Sequence, residues 1–191
     1  MKTARAKKDK RFPLAAHDNW FRRRLVDPRK LVGRYVRKGQ TAADLGCGPG
    51  FFTIALAEVV GPTGIVFAVD SDERAVREVT RKAGEKGLRN IDARTASAAR
   101  IGFIPDGTVD FALCHGLLCS MAPVDRGAAV GELKRVLKPD GLAYLSVATG
   151  PWSYVGASDW EEILAQFEVR ERRGGSGGFG DRIAIVALKK N

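Results

Sequence analysis

The sequence predicts an α/β fold: a doubly wound, seven-stranded sheet, mostly parallel, that ends in a C-terminal antiparallel hairpin. Three observations predict it. Apolar strand-like runs alternate with amphipathic helical segments, an order that builds a parallel sheet covered on both faces. A glycine-rich turn, A-A-D-L-G-C-G-P-G-F-F-T at 42–53, joins the first strand run to a helical segment. The alternation then stops, because the runs at 167–172 and 182–189 are joined only by G-G-S-G-G-F-G-D. That connection has no room for a crossover helix, so the two strands must be antiparallel.

Taken in order, residues 1–16 read as a disordered basic tail carrying Lys2, Arg5, Lys7, Lys8, Lys10 and Arg11. Asp18 then caps a segment with Trp20, Phe21 and Leu25, and Asp27-Pro28 opens another with Leu31, Val32, Tyr35 and Val36 on one face. Residues 17–38 are therefore expected to form a helical lid on one domain spanning 17–191. Strand runs follow at 40–45, 64–69, 91–95, 109–114 and 141–148. Between them, Ile54/Leu56/Val59, Val76/Val79/Ala83, Val130/Leu133/Val136/Leu137 and Trp160/Ile163/Leu164/Phe167 keep helical periods.

A chain of 191 residues holds one such domain and is short for two. Its apolar share of 45% and charged share of 28% exclude wholesale disorder. No apolar run reaches the roughly 18 residues that cross a bilayer, and the start M-K-T-A-R-A-K-K-D-K-R has no apolar core of a secretory signal. Cys47, Cys114 and Cys119 are odd in number and unpaired in spacing, which points to reduced thiols and a cytoplasmic protein. Cys114, His115 and Cys119 match no common zinc spacing, so no metal is expected. The net charge of +10 is concentrated at one end: residues 1–40 hold 14 Lys and Arg against 3 Asp and Glu. The rest is nearly neutral. Such asymmetry fits either an anionic partner or a solubilising tail.

The glycine turn carries the chemistry. A dinucleotide site would place a third glycine at position 51, and that residue is Phe51. Asp44 puts a carboxylate at the strand end, which repels a pyrophosphate and attracts an ammonium group. Asp70 ends the next strand, 24 residues after Gly46, where a carboxylate accepts hydrogen bonds from both ribose hydroxyls. Ribose plus ammonium without phosphate describes S-adenosylmethionine.

D-L-G-C-G-P-G, V-D at 69–70, P-D-G-T-V-D at 105–110 and L-K-R-V-L-K-P-D-G-L-A-Y-L-S-V at 133–147 resemble class I S-adenosylmethionine-dependent methyltransferases. The branch they resemble is the small-molecule one that includes the quinone-biosynthesis enzymes. The resemblance covers about residues 28–191. It implies a Rossmann-like sheet whose last pair is antiparallel. It also implies that Asp44 and the backbone of Gly46, Gly48 and Gly50 hold the methionine part, with Cys47 and Cys114 alongside. Asp70 would hold the ribose and Ser71 would lie beside the adenosine. Where the family often carries an acidic residue for the adenine amino group, this chain reads R-T-A-S-A-A-R, so Ser97 or the backbone at Ala98 takes that place.

The resemblance puts C-H-G-L-L, at the end of the fourth strand, where the transferred methyl sits. His115 has an ordinary pKa of about 6.5 and suits proton removal from a hydroxyl, amine or thiol; it equally suits walling the cofactor. No N-P-P-Y-like or D-P-P-Y-like signature of amide or adenine methylation is present. His17, Trp20, Phe21 and Tyr154 are candidates for the acceptor pocket, and Trp20 and Phe21 also suit packing of the first helix on the sheet. The expected activity is methyl transfer to a small molecule. The alternatives are an RNA or protein methyltransferase guided by the basic N-terminus, and a regulatory protein that binds the cofactor without turnover.

Overall fold

The computed structural model describes residues 27–149, 153–174 and 180–189. Its strands are β1 (Thr41–Leu45), β2 (Ile65–Asp70), β3 (Ile91–Thr95), β4 (Val109–His115), β5 (Leu137–Thr149), β6 (Glu168–Arg173) and β7 (Gly180–Ala187). The helices are α1 (Pro28–Val32), α2 (Phe51–Val60), α3 (Glu73–Glu85), α4 (Pro123–Val136) and α5 (Ala157–Leu164). The strand order is β3-β2-β1-β4-β5-β7-β6. The pairs among β1 to β5 are parallel, and β7 is antiparallel to both β5 and β6. This is the expected fold, antiparallel hairpin included.

Each face of the sheet buries its own cluster. On one, Val32 of α1 and Phe52, Leu56 and Val60 of α2 cover Val66, Phe111, Leu113, Tyr144 and Ile185. Val79 of α3 extends that layer over Ala68 and Cys47. On the other face, Val130 and Leu133 of α4 and Trp160 and Ile163 of α5 pack on Ala43, Leu45, Ala112, Leu145 and Val186. Strands buried on both sides read as continuous apolar runs, which is why they were visible in the sequence. β6, E-V-R-E-R-R, lies at the sheet edge and is largely exposed. Its charges discourage pairing with another chain.

Three helix boundaries differ from the periodic pattern, one of them at α5, which ends at Leu164 and leaves Phe167 in the turn before β6. The helical period through Leu137 ends one residue early, because Leu137 pairs with Val109 and begins β5. The register then jumps to Phe111↔Leu142, so Lys138–Gly141 bulge from the ladder. Likewise α1 stops at Val32, and Tyr35 and Val36 follow in a turn. Their apolar contacts survive the change: Val36 is buried, and Tyr35 stacks on Phe111 at 5.9 Å. The expected tail and the Asp18-capped segment lie outside the described residues.

Candidate active site

The sheet order reverses between β1 and β4, so the carboxyl ends of those strands flank a crevice. The turn after β1 lines it. Gly46, Gly48 and Gly50 take φ of 77°, 50° and 86°, conformations that side chains oppose. At Gly46 space also demands glycine, since a Cβ would lie 2.9 Å from Leu117 Cδ1 of the turn after β4. The N–H groups of Gly46 and Cys47 donate to Val69 O at 2.8 and 3.0 Å. Lys82 Nζ of α3 donates to Pro49 O at 2.8 Å. The turn is thus held by β2 and α3 together.

Two carboxylates flank this turn. Asp44 is 2% exposed, and its Oδ2 accepts from Thr53 Oγ1 of α2 at 2.6 Å. Asp70 Oδ2 accepts from Gly48 N at 2.9 Å, and its Oδ1 accepts from Asp72 N at 2.9 Å. A carboxylate offers about four lone-pair sites, so each Asp70 oxygen retains capacity for a further donor. Ser71 is exposed beside it. Ala96 N donates to Asp70 O at 2.9 Å, which brings the turn after β3 to the same edge. There Ser97 Oγ accepts from Ala99 N at 3.2 Å and Ala98 is buried.

These residues fit S-adenosylmethionine. Asp44 offers negative charge to an ammonium, Asp70 offers acceptors to a diol, and the positive-φ turn lets backbone approach the ligand between them.

The end of β4 separates neighbouring residues by the alternation of side chains along a strand. Cys114 points into the α4–α5 cluster and is 1% exposed. Burial and the charge of Asp44 push its thiol up to about 12. Cys47 is likewise pushed well up by burial, then by Asp44 and Asp70. Both thiols are buried and keep their protons at neutral pH. His115 points to the opposite face, with Phe52 at 4.9 Å and Tyr144 stacked at 5.9 Å. Because Cys114 and His115 face opposite ways, they cannot share an ion. Among the described residues no group of three or more His, Cys, Asp or Glu could hold a metal.

Tyr144 also lines a cavity of about 230 Å³ between α1 and β5, β7 and β6, with Leu31, Tyr35, Ile183 and Ile185. The same cavity is lined by the charged Asp27, Lys30, Arg34, Glu171 and Arg173 as well. Tyr154, after β5, is half-buried, and its N–H donates to Cys119 O at 2.9 Å. His17, Trp20 and Phe21 lie outside the described residues. The sequence reading missed Thr53, Lys82, Phe52 and Tyr144, whose roles depend on partners brought in by the fold.

A family model described as a methyltransferase domain matches residues 42–141, from β1 to the bulge in β5. A demethylmenaquinone methyltransferase of Geobacillus stearothermophilus is 35% identical over 123 residues, 64% of this chain and 51% of that protein. The chain thus spans about half the length of the curated relative. The crystal structure of a SAM-dependent methyltransferase from Aquifex aeolicus superposes with a TM-score of 0.72 at 26% identity, covering 91% of this chain and 97% of that one. A Burkholderia thailandensis 1,6-didemethyltoxoflavin-N1-methyltransferase, solved with 1,6-didemethyltoxoflavin and S-adenosylhomocysteine, gives a TM-score of 0.71 over 92% of this chain and 83% of that one. At 18% identity that likeness speaks for the fold alone. With the match running through the glycine turn and both flanking carboxylates, the chain belongs to the methyltransferase domain family.

Proposed function

We propose that this protein binds S-adenosylmethionine and transfers its methyl group to a small-molecule acceptor. The observation that carries the reading is the pair of carboxylates about the glycine turn, Asp44 held by Thr53 and Asp70 held by Gly48. The resemblance to small-molecule enzymes and the demethylmenaquinone methyltransferase relative support the acceptor class.

S-adenosylmethionine supplies a methyl group already activated on a sulfonium. Asp44 binds and orients the ammonium, Asp70 the ribose, and Ser97 or the Ala98 backbone the adenine edge. Phe52, His115 and Tyr144 form an aromatic wall that excludes water from the acceptor side. Tyr154 borders that side, and His17, Trp20 and Phe21 are proposed to join it. Alignment of this kind is worth about 7–11 kcal/mol, so the chain needs to supply little beyond position. For an acceptor that starts protonated, His115 at the end of β4 takes the proton from its hydroxyl, amine or thiol.

The test has two arms. Calorimetry on the full chain should show binding of S-adenosylhomocysteine and none of NAD; NAD binding with no response to S-adenosylhomocysteine would end the reading. Methyl transfer from labelled S-adenosylmethionine is then compared between a naphthoquinol lacking its ring methyl and bulk RNA, at low and high salt. Transfer to RNA alone, lost with added salt, would replace the small-molecule acceptor by a nucleic acid.

A further inference from the structure

Arg126, near the start of α4, is 7% exposed although it carries a full charge. Its Nη1 donates to Tyr154 O at 3.0 Å and its Nη2 to Asp159 Oδ1 at 2.6 Å. The other oxygen, Asp159 Oδ2, accepts from Gly156 N at 2.8 Å. Tyr154 N in turn donates to Cys119 O at 2.9 Å. One guanidinium therefore ties the segment after β5 to the first turn of α5 and, through the backbone of Tyr154, to the turn after β4. These segments follow β4 and β5 at the carboxyl edge of the sheet, where the proposed acceptor site lies.

We propose that Arg126 is a positioning residue for the acceptor: it fixes Tyr154 and the turn after β4 in one geometry without bearing on the cofactor half. The proposal rests on the methyltransferase reading above. Independence from the cofactor half follows from how the near end of the turn is held. Gly116 N donates to Ser146 O and Ser146 Oγ, both at 3.1 Å, and needs no help from Arg126. The glycine turn is held by β2 and Lys82, on the far side of β1; it also meets the turn after β4 where Leu117 packs against Gly46, next to the Gly116 that Ser146 anchors. A rigid fork suits this work, because two donors reach a carbonyl and a carboxylate at once.

The test uses full-length Arg126→Met, Arg126→Lys and the milder Asp159→Asn. Hydrogen exchange with S-adenosylhomocysteine present should speed up in peptides covering 116–122 and 153–160 and stay unchanged in 42–52. KM for the naphthoquinol should rise about tenfold in Arg126→Met, the equivalent of one charged hydrogen bond. The dissociation constant of S-adenosylhomocysteine should stay within about twofold, well under one such bond. Lysine should recover part of the KM, since a single ammonium reaches one of the two partners, and Asp159→Asn should move the same readouts less. An unchanged KM, or a cofactor affinity that falls in step with KM, overturns the proposal. A wild type that neither binds S-adenosylhomocysteine nor methylates the naphthoquinol defeats the earlier reading instead.

Discussion

Thr53 sits third in α2, wholly buried, with its hydroxyl 2.6 Å from Asp44 Oδ2. Thr53→Val keeps the shape and removes this donor. A hydrogen bond to a charged group contributes about 1.5–3 kcal/mol, and loss of a buried one leaves a desolvation cost of similar size. If the bond holds Asp44 toward the ligand ammonium, affinity for S-adenosylhomocysteine should fall by about tenfold to a hundredfold. The control is 5′-methylthioadenosine, which keeps adenine and ribose and lacks the ammonium. Its affinity reports Asp70 and the turn after β3 and should not change. Thr53→Ser should restore binding, because the hydroxyl returns. Calorimetry of both ligands on all three proteins decides it. Equal losses for the two ligands would mean that Thr53 supports the turn as a whole, and an unchanged S-adenosylhomocysteine affinity would remove Asp44 from ammonium binding.

Asp70→Ala should weaken S-adenosylhomocysteine and 5′-methylthioadenosine alike, by about 1.5–3 kcal/mol per charge-assisted bond lost; an unchanged dissociation constant would place the ribose elsewhere. Cys114, with its thiol pushed up to about 12, should resist alkylation in the folded protein at about pH 8, where an ordinary thiol already has a substantial thiolate fraction. Its sign for stability follows: the unfolded thiol ionises above its ordinary 9.0 while the folded one keeps its proton. This contribution is fully present below about pH 9 and is lost as pH rises toward 12, which a denaturation series against pH would show as a declining midpoint, shared with Cys47. Deleting residues 1–16 should leave naphthoquinol methylation intact; loss of activity on that acceptor would give the tail a part in the reaction.

What could be read from the sequence was whatever neighbouring residues settle among themselves. Strands buried on both faces announce themselves as apolar runs, and the short link before β7 dictates its direction. Asp44 and Asp70 stand out because a strand end and a glycine turn give them a place without any knowledge of distant contacts. Where a distant partner decides, local pattern gave less. Leu137 keeps the helical period of α4, yet its pairing with Val109 makes it strand. Tyr144 gains its meaning from His115 on a neighbouring strand, and α1 ends at a glycine although its apolar spacing runs on. Arg126 and Thr53 lie between these cases. Arg126 opens the series Arg126, Ala129, Val130, Leu133, Val136, which is the buried stripe of α4, and Thr53 interrupts the apolar run of α2 at a wholly buried position. A charge or hydroxyl on an apolar stripe has to be satisfied when it is buried. Such a residue therefore forecasts a partner, and only the fold says which: a carboxylate nine residues back for Thr53, and one 33 residues ahead for Arg126. Asp44 lies at the end of β1 and Asp159 in the crossing after β5, so the two bonds tie α2 and α4 to segments beside the proposed site.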